Sequence, residues 1–237
     1  METKIILQKF IADSGYCSRR RATELMKQGK VKVNKEVAEL GQRVSRVEKV
    51  FILGKEIKVQ GQRIYIKLNK PVDYVCTNRR FENEKSVFDL VNIPDKLICA
   101  GRLDKNSKGL VILTNDGAWV NKITHPSFEH EKEYLVKIEG DKATDQNEEL
   151  KKKKYDLIIS QMQNGIEDEG EKLKAKSVQL LKYDNFKIVL TYGKKRHIRR
   201  MFKALGLEVV DILRVRIGDI KLGGLKEGRW EQFKHLE

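Results

Sequence analysis

Apolar side chains recur at two different periods along the chain, and the period predicts which elements form. In the first part, one short helical stripe is followed by a second that begins at the N-cap candidate Ser18 and ends at Gly29. Val31 and Val33 then alternate with lysines, which indicates a half-buried strand with a basic outer face. Residues 1–59 therefore predict two helices followed by a small sheet.

A larger unit in which strands and helices alternate is predicted after a short linker at residues 60–62. Residues 141–156 are polar and rich in lysine, and they predict a solvated helix and turn without chemistry. The predicted strands cover residues 63–68, 74–77, 110–114, 133–138 and 186–192. One predicted helix follows the cap candidate Ser86, a second covers residues 118–124, and a third lies within residues 194–206.

The most informative stretch is a charged loop with glycines, followed by a strand, at residues 101–117. It reads Gly-Arg-Leu-Asp-Lys-Asn-Ser-Lys-Gly, then a run fit for a buried strand, then an Asn-Asp-Gly turn signal. Arg102 and Asp104 are two residues apart, so on an extended chain they share one face of the backbone. An isolated Arg-x-Asp pair is most simply a weak surface ion pair.

These seventeen residues resemble the catalytic signature of the pseudouridine synthases that modify ribosomal RNA. The resemblance implies that Asp104 is the essential catalytic group and that Arg102 fills or holds the gap left by the target base. It also implies that Tyr134, in Glu-Lys-Glu-Tyr-Leu-Val, lies near the base, although the residue alone is explained equally well as core filling. Arg199, in Gly-Lys-Lys-Arg-His-Ile-Arg-Arg, would contact the catalytic aspartate.

Residues 7–59 resemble the RNA-binding module named after small-subunit ribosomal protein S4. We therefore expect two α+β domains: this S4-like module over residues 1–59, and a synthase domain over residues 60–237 with a mixed, largely antiparallel sheet flanked by helices. The expected RNA contacts are basic side chains of both domains and one residue of a third family block: Arg19, Arg20, Arg21, Lys27, Lys30, Lys32, Lys70, Arg102, Arg196, Arg200 and Leu213.

Charge composition favours a polyanionic partner. The chain carries 49 Lys+Arg against 34 Asp+Glu, a formal net charge of +15. No apolar run approaches the ~20 residues that span a bilayer, and the polar start does not resemble a signal peptide. Three widely spaced cysteines indicate free thiols in a reducing compartment. We expect a cytoplasmic monomer that binds RNA and no membrane.

The implied reaction breaks the bond between ribose and N1 of uracil and rejoins the same ribose to carbon 5 of the base. It therefore needs neither a metal nor a redox cofactor. His125 and His130 do not complete a zinc pattern. Two other classes stay open: a non-catalytic RNA-binding or assembly protein, and a glycosidase that releases free uracil. Lys108 and His197 stand where the family usually has other residues, and they are candidates for altered RNA contacts.

The expected substrate is a uridine in a stem-loop of large-subunit ribosomal RNA. The stretch around Tyr134 resembles the large-subunit synthases of the family most closely, and single-stranded loops are where a uridine is splayed out at low cost. Small-subunit ribosomal RNA and a transfer RNA anticodon loop are the alternatives.

Overall fold

The computed structural model of the chain describes residues 4–45, 47–59, 61–139, 148–182 and 184–234. In the N-terminal part, two helices pack beside a small antiparallel sheet of order β3-β2-β5-β6, and a separate pair joins β1 to β4. Its elements are β1 (Ile5–Ile6), α1 (Leu7–Asp13), α2 (Arg19–Lys27), β2 (Val31–Val33), β3 (Glu36–Val37), β4 (Arg43–Val44), β5 (Val50–Ile52) and β6 (Lys55–Ile57).

The two predicted helices of this part form as the sequence indicates. Ser18 caps α2, since its hydroxyl accepts a hydrogen bond from the Arg21 N–H at 3.3 Å. In β2, Val31 and Val33 are buried while Lys32 is exposed. The apolar faces of both helices and of this sheet meet in one core, so the lysines and arginines are left on the surface.

The remaining residues form a larger mixed sheet of order β15-β16-β12-β17-β11-β7-β19, in which only the β11–β17 pairing along this described path is parallel. Its strands and their neighbours are β7 (Tyr65–Lys70), β8 (Tyr74–Val75), β9 (Lys85–Ser86), β10 (Ile98–Cys99), β11 (Lys108–Thr114), β12 (Lys132–Ile138), β13 (Ile166–Asp168), β14 (Glu171–Leu173), β15 (Ser177–Lys182), β16 (Asn185–Leu190), β17 (Val209–Ile217), β18 (Ile220–Lys221) and β19 (Trp230–Gln232).

Helices flank this sheet. Two of them, α4 (Glu148–Asn164) and α5 (His197–Ala204), bury apolar side chains in the same core as β12, whereas α3 (Gly117–Thr124) packs into a separate core cluster. Short 3₁₀ turns lie at Val87–Leu90 and Pro126–Phe128. The α+β class with a mixed, largely antiparallel sheet is confirmed.

The prediction for residues 141–156 needs a correction. Residues 140–147 lie outside the described part of the chain, but α4 continues to Asn164 and is not simply a solvated helix. Tyr155, Ile158 and Met162 are at most 4% exposed and join the main core. Their spacing of three and four residues gives α4 a buried stripe beneath its lysines.

The linker prediction is tested only in part, because Gln60 lies outside the described residues. From Gln62 onward the chain is held by the turn after β11: the Asn115 side chain accepts from the Ile64 N–H at 3.0 Å and donates to the Gln62 carbonyl at 2.9 Å. Asp116 caps α3 by accepting from two backbone N–H groups and also accepts from the Tyr65 hydroxyl at 2.9 Å. In the part of the chain that is described, the helices are too short or too polar to cross a lipid bilayer.

Candidate active site

A cavity of about 1020 Å³ lies over one face of the large sheet. Its walls come from the loop between β10 and β11, from β12 and β17, and from the N-terminal end of α5. The three predicted catalytic residues, Asp104, Tyr134 and Arg199, all line this cavity although 95 positions separate the first from the last. The fold therefore brings the three motifs together.

Asp104 lies in the loop of residues 101–107, and its side chain is exposed. Lys70, which is fully buried at the end of β7, supports this loop from behind. Its ammonium group donates to the carbonyl of Lys105 at 3.1 Å and to that of Pro71 at 2.7 Å. The residue next to Asp104 is thus fixed through its main chain.

Two arginines complete what we call the carbonyl clamp, formed by Lys70, Arg199 and Arg214. Arg214 on β17 is only 2% exposed; it donates to the Leu110 carbonyl at 2.7 Å and to the Arg102 carbonyl at 3.1 Å. Arg199 on α5 donates to the Asn106 carbonyl at 2.8 Å and to the Val209 carbonyl at 2.7 Å. The clamp binds main-chain oxygens on both sides of Asp104, and the buried side chain of Leu103 anchors the same loop in the core.

The relation between Arg199 and Asp104 differs from the sequence-based expectation. We expected direct contact, but within the described residues no Arg199–Asp104 ion pair of 4.0 Å or less is formed, and the guanidinium binds backbone carbonyls instead. Burial lowers the pKa of Arg199, and the charge of Asp104 acts in the opposite direction. The two groups therefore interact through space across the cavity.

Tyr134 is 7% exposed and sits on β12 directly opposite Arg214 of β17. Lys132 precedes it by two residues on the same strand, and all three side chains line the cavity. Between Glu133 and Tyr134 the register advances by two residues on β17 for one on β12. This bulge places Arg214 opposite Tyr134 and Arg216 opposite Glu133, so two arginines two residues apart receive different partners.

Two lysines near the cavity, the buried Lys70 and the half-buried Lys132, have lowered pKa values. Burial lowers the pKa of Lys70 from 10.5 to about 8. The pKa of Lys132 is also lowered, first by burial and second by the positive charge of Arg214. The Lys132 ammonium donates to the carbonyls of His130 at 3.0 Å and Thr191 at 3.4 Å. The cavity wall beside Tyr134 is therefore rich in partly desolvated positive charge.

His197 and Arg196 form the start of α5 at the cavity. Arg196 occupies the N-cap with a left-handed φ of 54°, and its side chain is exposed. His197 is 4% exposed, and its pKa is lowered from 6.5 to about 4 by burial first and by the charge of Lys194 second. Its Nδ1 accepts from the Lys194 N–H at 3.4 Å, so a neutral imidazole closes the turn into the helix.

Gly109, at the start of β11, allows two strands to approach closely. Its φ is +110°, and a Cβ there would lie 2.3 Å from the Arg214 carbonyl oxygen and 2.6 Å from the Arg214 nitrogen. Such distances are far below van der Waals contact, and the backbone conformation itself favours glycine. The parallel pairing that carries Arg214 to the loop of Asp104 therefore requires glycine at this position.

Of the predicted RNA contacts in the first part, all six cationic side chains are exposed, and Arg21 forms a surface ion pair with Glu24 at 2.7 Å. Arg102 and Arg196 line the cavity. The side chain of Arg102 has no hydrogen-bond or ion-pair partner within the described chain, which leaves it available to a ligand. The six are Arg19, Arg20, Arg21, Lys27, Lys30 and Lys32.

Three other predicted RNA contacts are not supported by their surroundings. Lys70 is buried behind the loop of Asp104. Arg200 binds Glu171 at 2.6 Å and Asp168 at 2.5 Å, so it joins α5 to the β13–β14 hairpin. Leu213 packs against the core on the α3 side of the sheet. On β17 it is the preceding residue, Ile212, that lines the cavity, because successive side chains of a strand point to opposite faces.

Sequence reasoning missed the loop of residues 77–84, which forms one side of the cavity mouth. Phe81 is 53% exposed and lines the cavity together with Arg79. A solvent-exposed aromatic ring beside arginines is a composition that suits stacking on nucleobases. The signal was present in Asn-Arg-Arg-Phe, but nothing in the local pattern indicated that this loop reaches the cavity.

Two cysteines lie close together at the cavity. Cys76 is buried and lines the cavity, whereas Cys99 is half-buried. A hydrogen bond with the Cys99 thiol lowers the pKa of Cys76, with further help from the Leu103 N–H, while the same interaction raises the pKa of Cys99. All three cysteines are free thiols.

Comparison with known families gives two matches. A family model described as RNA pseudouridylate synthase matches residues 64–204. A second model, the S4 domain, matches residues 7–50. The first match contains Asp104, Tyr134 and Arg199, and the second contains the six exposed cations of the first part.

Individual relatives cover nearly the whole chain. Ribosomal large subunit pseudouridine synthase B of Bacillus subtilis (strain 168) is 34% identical over 94% of this chain and 89% of its own length. Dual-specificity RNA pseudouridine synthase RluF of Salmonella typhi is 36% identical over 98% of this chain and 76% of its own length. A crystal structure of a pseudouridylate synthase is 30% identical, covers 97% of this chain and 96% of that chain, and has a TM-score of 0.66.

Proposed function

The chain belongs to the RNA pseudouridine synthase family, and from that premise we propose that Asp104 and Tyr134 isomerise a uridine of large-subunit ribosomal RNA in this cavity. The family fixes the class of the enzyme as an isomerase acting on RNA. The residues and the RNA target are the proposal. The observation that carries it is the meeting of Asp104, Tyr134 and Arg199 in one cavity beside exposed cations.

Asp104 acts on the ribose. Its exposed carboxylate either attacks carbon 1′ or removes a neighbouring sugar proton, and in both cases the bond from carbon 1′ to N1 of uracil breaks. The positive charge of Arg199 acts on this carboxylate across the cavity. The carbonyl clamp holds the loop in place so that little reorganisation is needed during the reaction.

Tyr134 acts on the base. The released uracil turns until its carbon 5 faces carbon 1′, a new carbon–carbon bond forms, and the proton on carbon 5 must then leave. Tyr134 lines the cavity, and its ring is proposed to offer a flat surface for the uracil while its hydroxyl assists this proton transfer. Arg102, whose side chain has no partner among the described residues, is proposed to enter the space that the flipped nucleotide leaves.

RNA recognition is proposed to use both parts of the chain, divided at residues 59 and 60. The first 60 residues hold 14 Lys+Arg against 7 Asp+Glu, so they carry nearly half of the net charge. Arg19, Arg20 and Lys32 are exposed there, and the cavity mouth adds Arg102 and Arg196. The large-subunit target is supported by relatives of that name, such as synthase B of Bacillus subtilis.

The test is pseudouridine mapping of total RNA from cells that lack this protein. The cells are complemented with the wild-type chain or with Asp104→Asn, and carbodiimide labelling with primer extension locates each pseudouridine. We expect one or more large-subunit sites to vanish in the deletion strain, to return with the wild-type chain, and to stay absent with Asp104→Asn. Loss of sites in small-subunit RNA alone would refute the proposed target but not the reaction.

A transfer RNA is the second candidate substrate. Relatives named dual-specificity RNA pseudouridine synthases match at 36% identity over 98% of the chain, which favours a second RNA substrate without naming it. Anticodon loops offer an unstacked uridine in a geometry similar to that of a ribosomal stem-loop. The transfer RNA fraction of the same three cell lines is mapped in the same way. A transfer RNA is a substrate if one of its pseudouridines is lost in the deletion strain and returns only with the wild-type chain.

A further inference from the structure

Two positive side chains beside Tyr134 lack a carboxylate partner. Within the described residues, neither Lys132 nor Arg214 forms an ion pair of 4.0 Å or less; both donate to backbone carbonyls. Arg214 is 2% exposed, and its Nη2 is buried without a hydrogen-bond partner. The strongest charged neighbour of Lys132 is Arg214 itself, which repels it.

This arrangement of positive charges lowers the stability of the fold. A buried charge without a counter-ion is strongly destabilising, and two like charges near each other add to the penalty. Another arginine of β17 does have carboxylate partners: Arg216 binds Glu131 at 2.9 Å and Glu133 at 3.1 Å. The bulge in β17 directs Arg216 to these carboxylates and keeps Arg214 from them.

The reaction creates negative charge at this place. When the bond from carbon 1′ to N1 breaks, both electrons stay with uracil, and the anion spreads its charge over N1, O2 and O4. The electron balance is the same whether Asp104 forms a bond to carbon 1′ or takes a sugar proton and leaves a carbon–carbon double bond. A fixed positive potential in a site without water stabilises such an anion as it forms.

We propose that Lys132 and Arg214 hold the base pocket at positive potential and stabilise the uracil leaving group as an anion. This inference rests on the proposed placement of uracil against Tyr134. The three side chains share one face of the sheet, since Tyr134 lies opposite Arg214 and two residues from Lys132. The unpaired charges are thereby concentrated where the base loses its bond to the sugar.

The test compares two leaving groups in single-turnover kinetics with the full-length enzyme in excess. The RNA is one that the wild-type chain modifies, made with either uridine or 5-fluorouridine at the target, at a pH where both bases are neutral. Fluorine at carbon 5 stabilises the base anion without help from the protein. Loss of the intact target nucleoside, measured by mass spectrometry after nuclease digestion, gives the rate for each base.

Lys132→Met is expected to slow conversion of uridine roughly 10- to 100-fold and to slow conversion of 5-fluorouridine distinctly less. Arg214→Gln, if its thermal unfolding shows a folded protein, should shift the ratio of the two rates in the same direction. Lys137→Met, which removes an exposed charge from the same strand, should leave both rates unchanged. Equal slowing of both bases by Lys132→Met, or no slowing, would overturn the proposal.

A further arm separates this proposal from the one on which it rests. Tyr134→Phe should bind the RNA but convert uridine poorly. Full activity of that variant would reject the proposed role of the Tyr134 hydroxyl but not the placement of the base against the ring, and Lys132→Met would still test the charge inference. A slow Tyr134→Phe enzyme combined with equal slowing of both bases by Lys132→Met would reject the charge inference only.

Discussion

Asp104 is the residue on which the proposed reaction depends, and its replacement should separate chemistry from binding. Asp104→Asn keeps the shape of the side chain, and the carbonyl clamp holds the loop through main-chain atoms that the substitution does not change. We expect the rate of pseudouridine formation to fall roughly 10³-fold or more. RNA affinity should change by no more than about threefold, because one charge contributes little in a basic groove.

Tritium release from RNA labelled at carbon 5 of uridine measures the rate, and filter binding measures the affinity. The double variant Lys152→Gln/Lys153→Gln changes exposed charges on α4, away from the cavity lining, and serves as a control that should keep full activity. Substantial turnover by Asp104→Asn would exclude the carboxylate from the reaction.

His197 makes stability depend on pH. Its imidazole binds a proton with a pKa of about 4 in the folded chain against 6.5 when unfolded. Between these values the unfolded chain holds more protons, so unfolding takes up a proton and stability falls as the pH falls from 6.5 towards 4. At pH 4 the loss for this group is about 3 kcal/mol relative to neutral pH.

Urea unfolding of the wild type and of His197→Gln between pH 4 and pH 7 tests this expectation. The wild type should lose stability more steeply on acidification than His197→Gln. His125→Gln removes an exposed imidazole but keeps His197, and it should follow the wild-type slope. Parallel curves for the wild type and His197→Gln would mean that the buried imidazole is not the source.

Some cavity residues can be predicted from the sequence and others cannot, because a local motif does not contain the pairing of distant strands. The sequence predicts Asp104 and Tyr134 as site residues because each lies in a contiguous motif that carries its own context. It does not single out Arg214 and Lys132, because their placement beside Tyr134 depends on a bulge between two strands that are distant in sequence. Strict alternation would treat Arg214 and Arg216 alike, and it also cannot fix the register that turned the expected Leu213 away from the cavity.

At the scale of elements, the contact between β11 and β17 should not tolerate a side chain at Gly109. Gly109→Ala would place a Cβ 2.3 Å from the Arg214 carbonyl oxygen at a φ of +110°. We expect the free energy of unfolding to fall by about 3 kcal/mol or more, since strain and steric overlap add. Chemical denaturation compares this variant with Gly224→Ala, where a Cβ meets nothing within 4 Å and little change is expected.

The loop of residues 77–84 should contribute to RNA binding through the ring of Phe81. Stacking on one base is worth ~1–3 kcal/mol, so Phe81→Ala is expected to raise KM roughly tenfold with a smaller change in kcat. Steady-state kinetics on the mapped RNA measures both constants. Phe81→Trp should keep a low KM and Phe81→Leu should not; equal KM values for Trp and Leu would mean that the ring does not stack.

The sequence predicts the type of an element, helix or strand, better than its length or its burial. The helix α5 was correct because its apolar residues recur at helical spacing over a full two turns. The lysines that dominate the first half of α4 predict a solvated helix, whereas burial of Tyr155, Ile158 and Met162 follows from packing that a local window does not contain. Short strands such as β13 and β14 have too few residues to express a period.

For the whole molecule, the distribution of charge predicts how binding responds to salt. Arg19→Gln/Arg20→Gln removes two exposed cations from the first turn of α2, where positive charge opposes the helix dipole, so folding should not suffer. If both side chains contact phosphates, the slope of log K against log salt should become shallower by ~0.7–0.9 per contact.

Binding measured between low and moderate salt tests this expectation. The matched variant Lys152→Gln/Lys153→Gln removes the same charge from α4 and should keep the wild-type slope. An unchanged slope for the α2 variant would mean that this helix does not touch RNA, whatever the net charge of the chain.

The carbonyl clamp also bears on how such an enzyme diversifies. Lys70, Arg199 and Arg214 hold the loop of Asp104 by the oxygens of residues 102, 105, 106 and 110, and every amino acid supplies that oxygen. The exposed side chain at position 106 can therefore change without displacing the aspartate. A lineage can change the surface that meets the RNA, and acquire a new target, while its reaction centre is inherited intact.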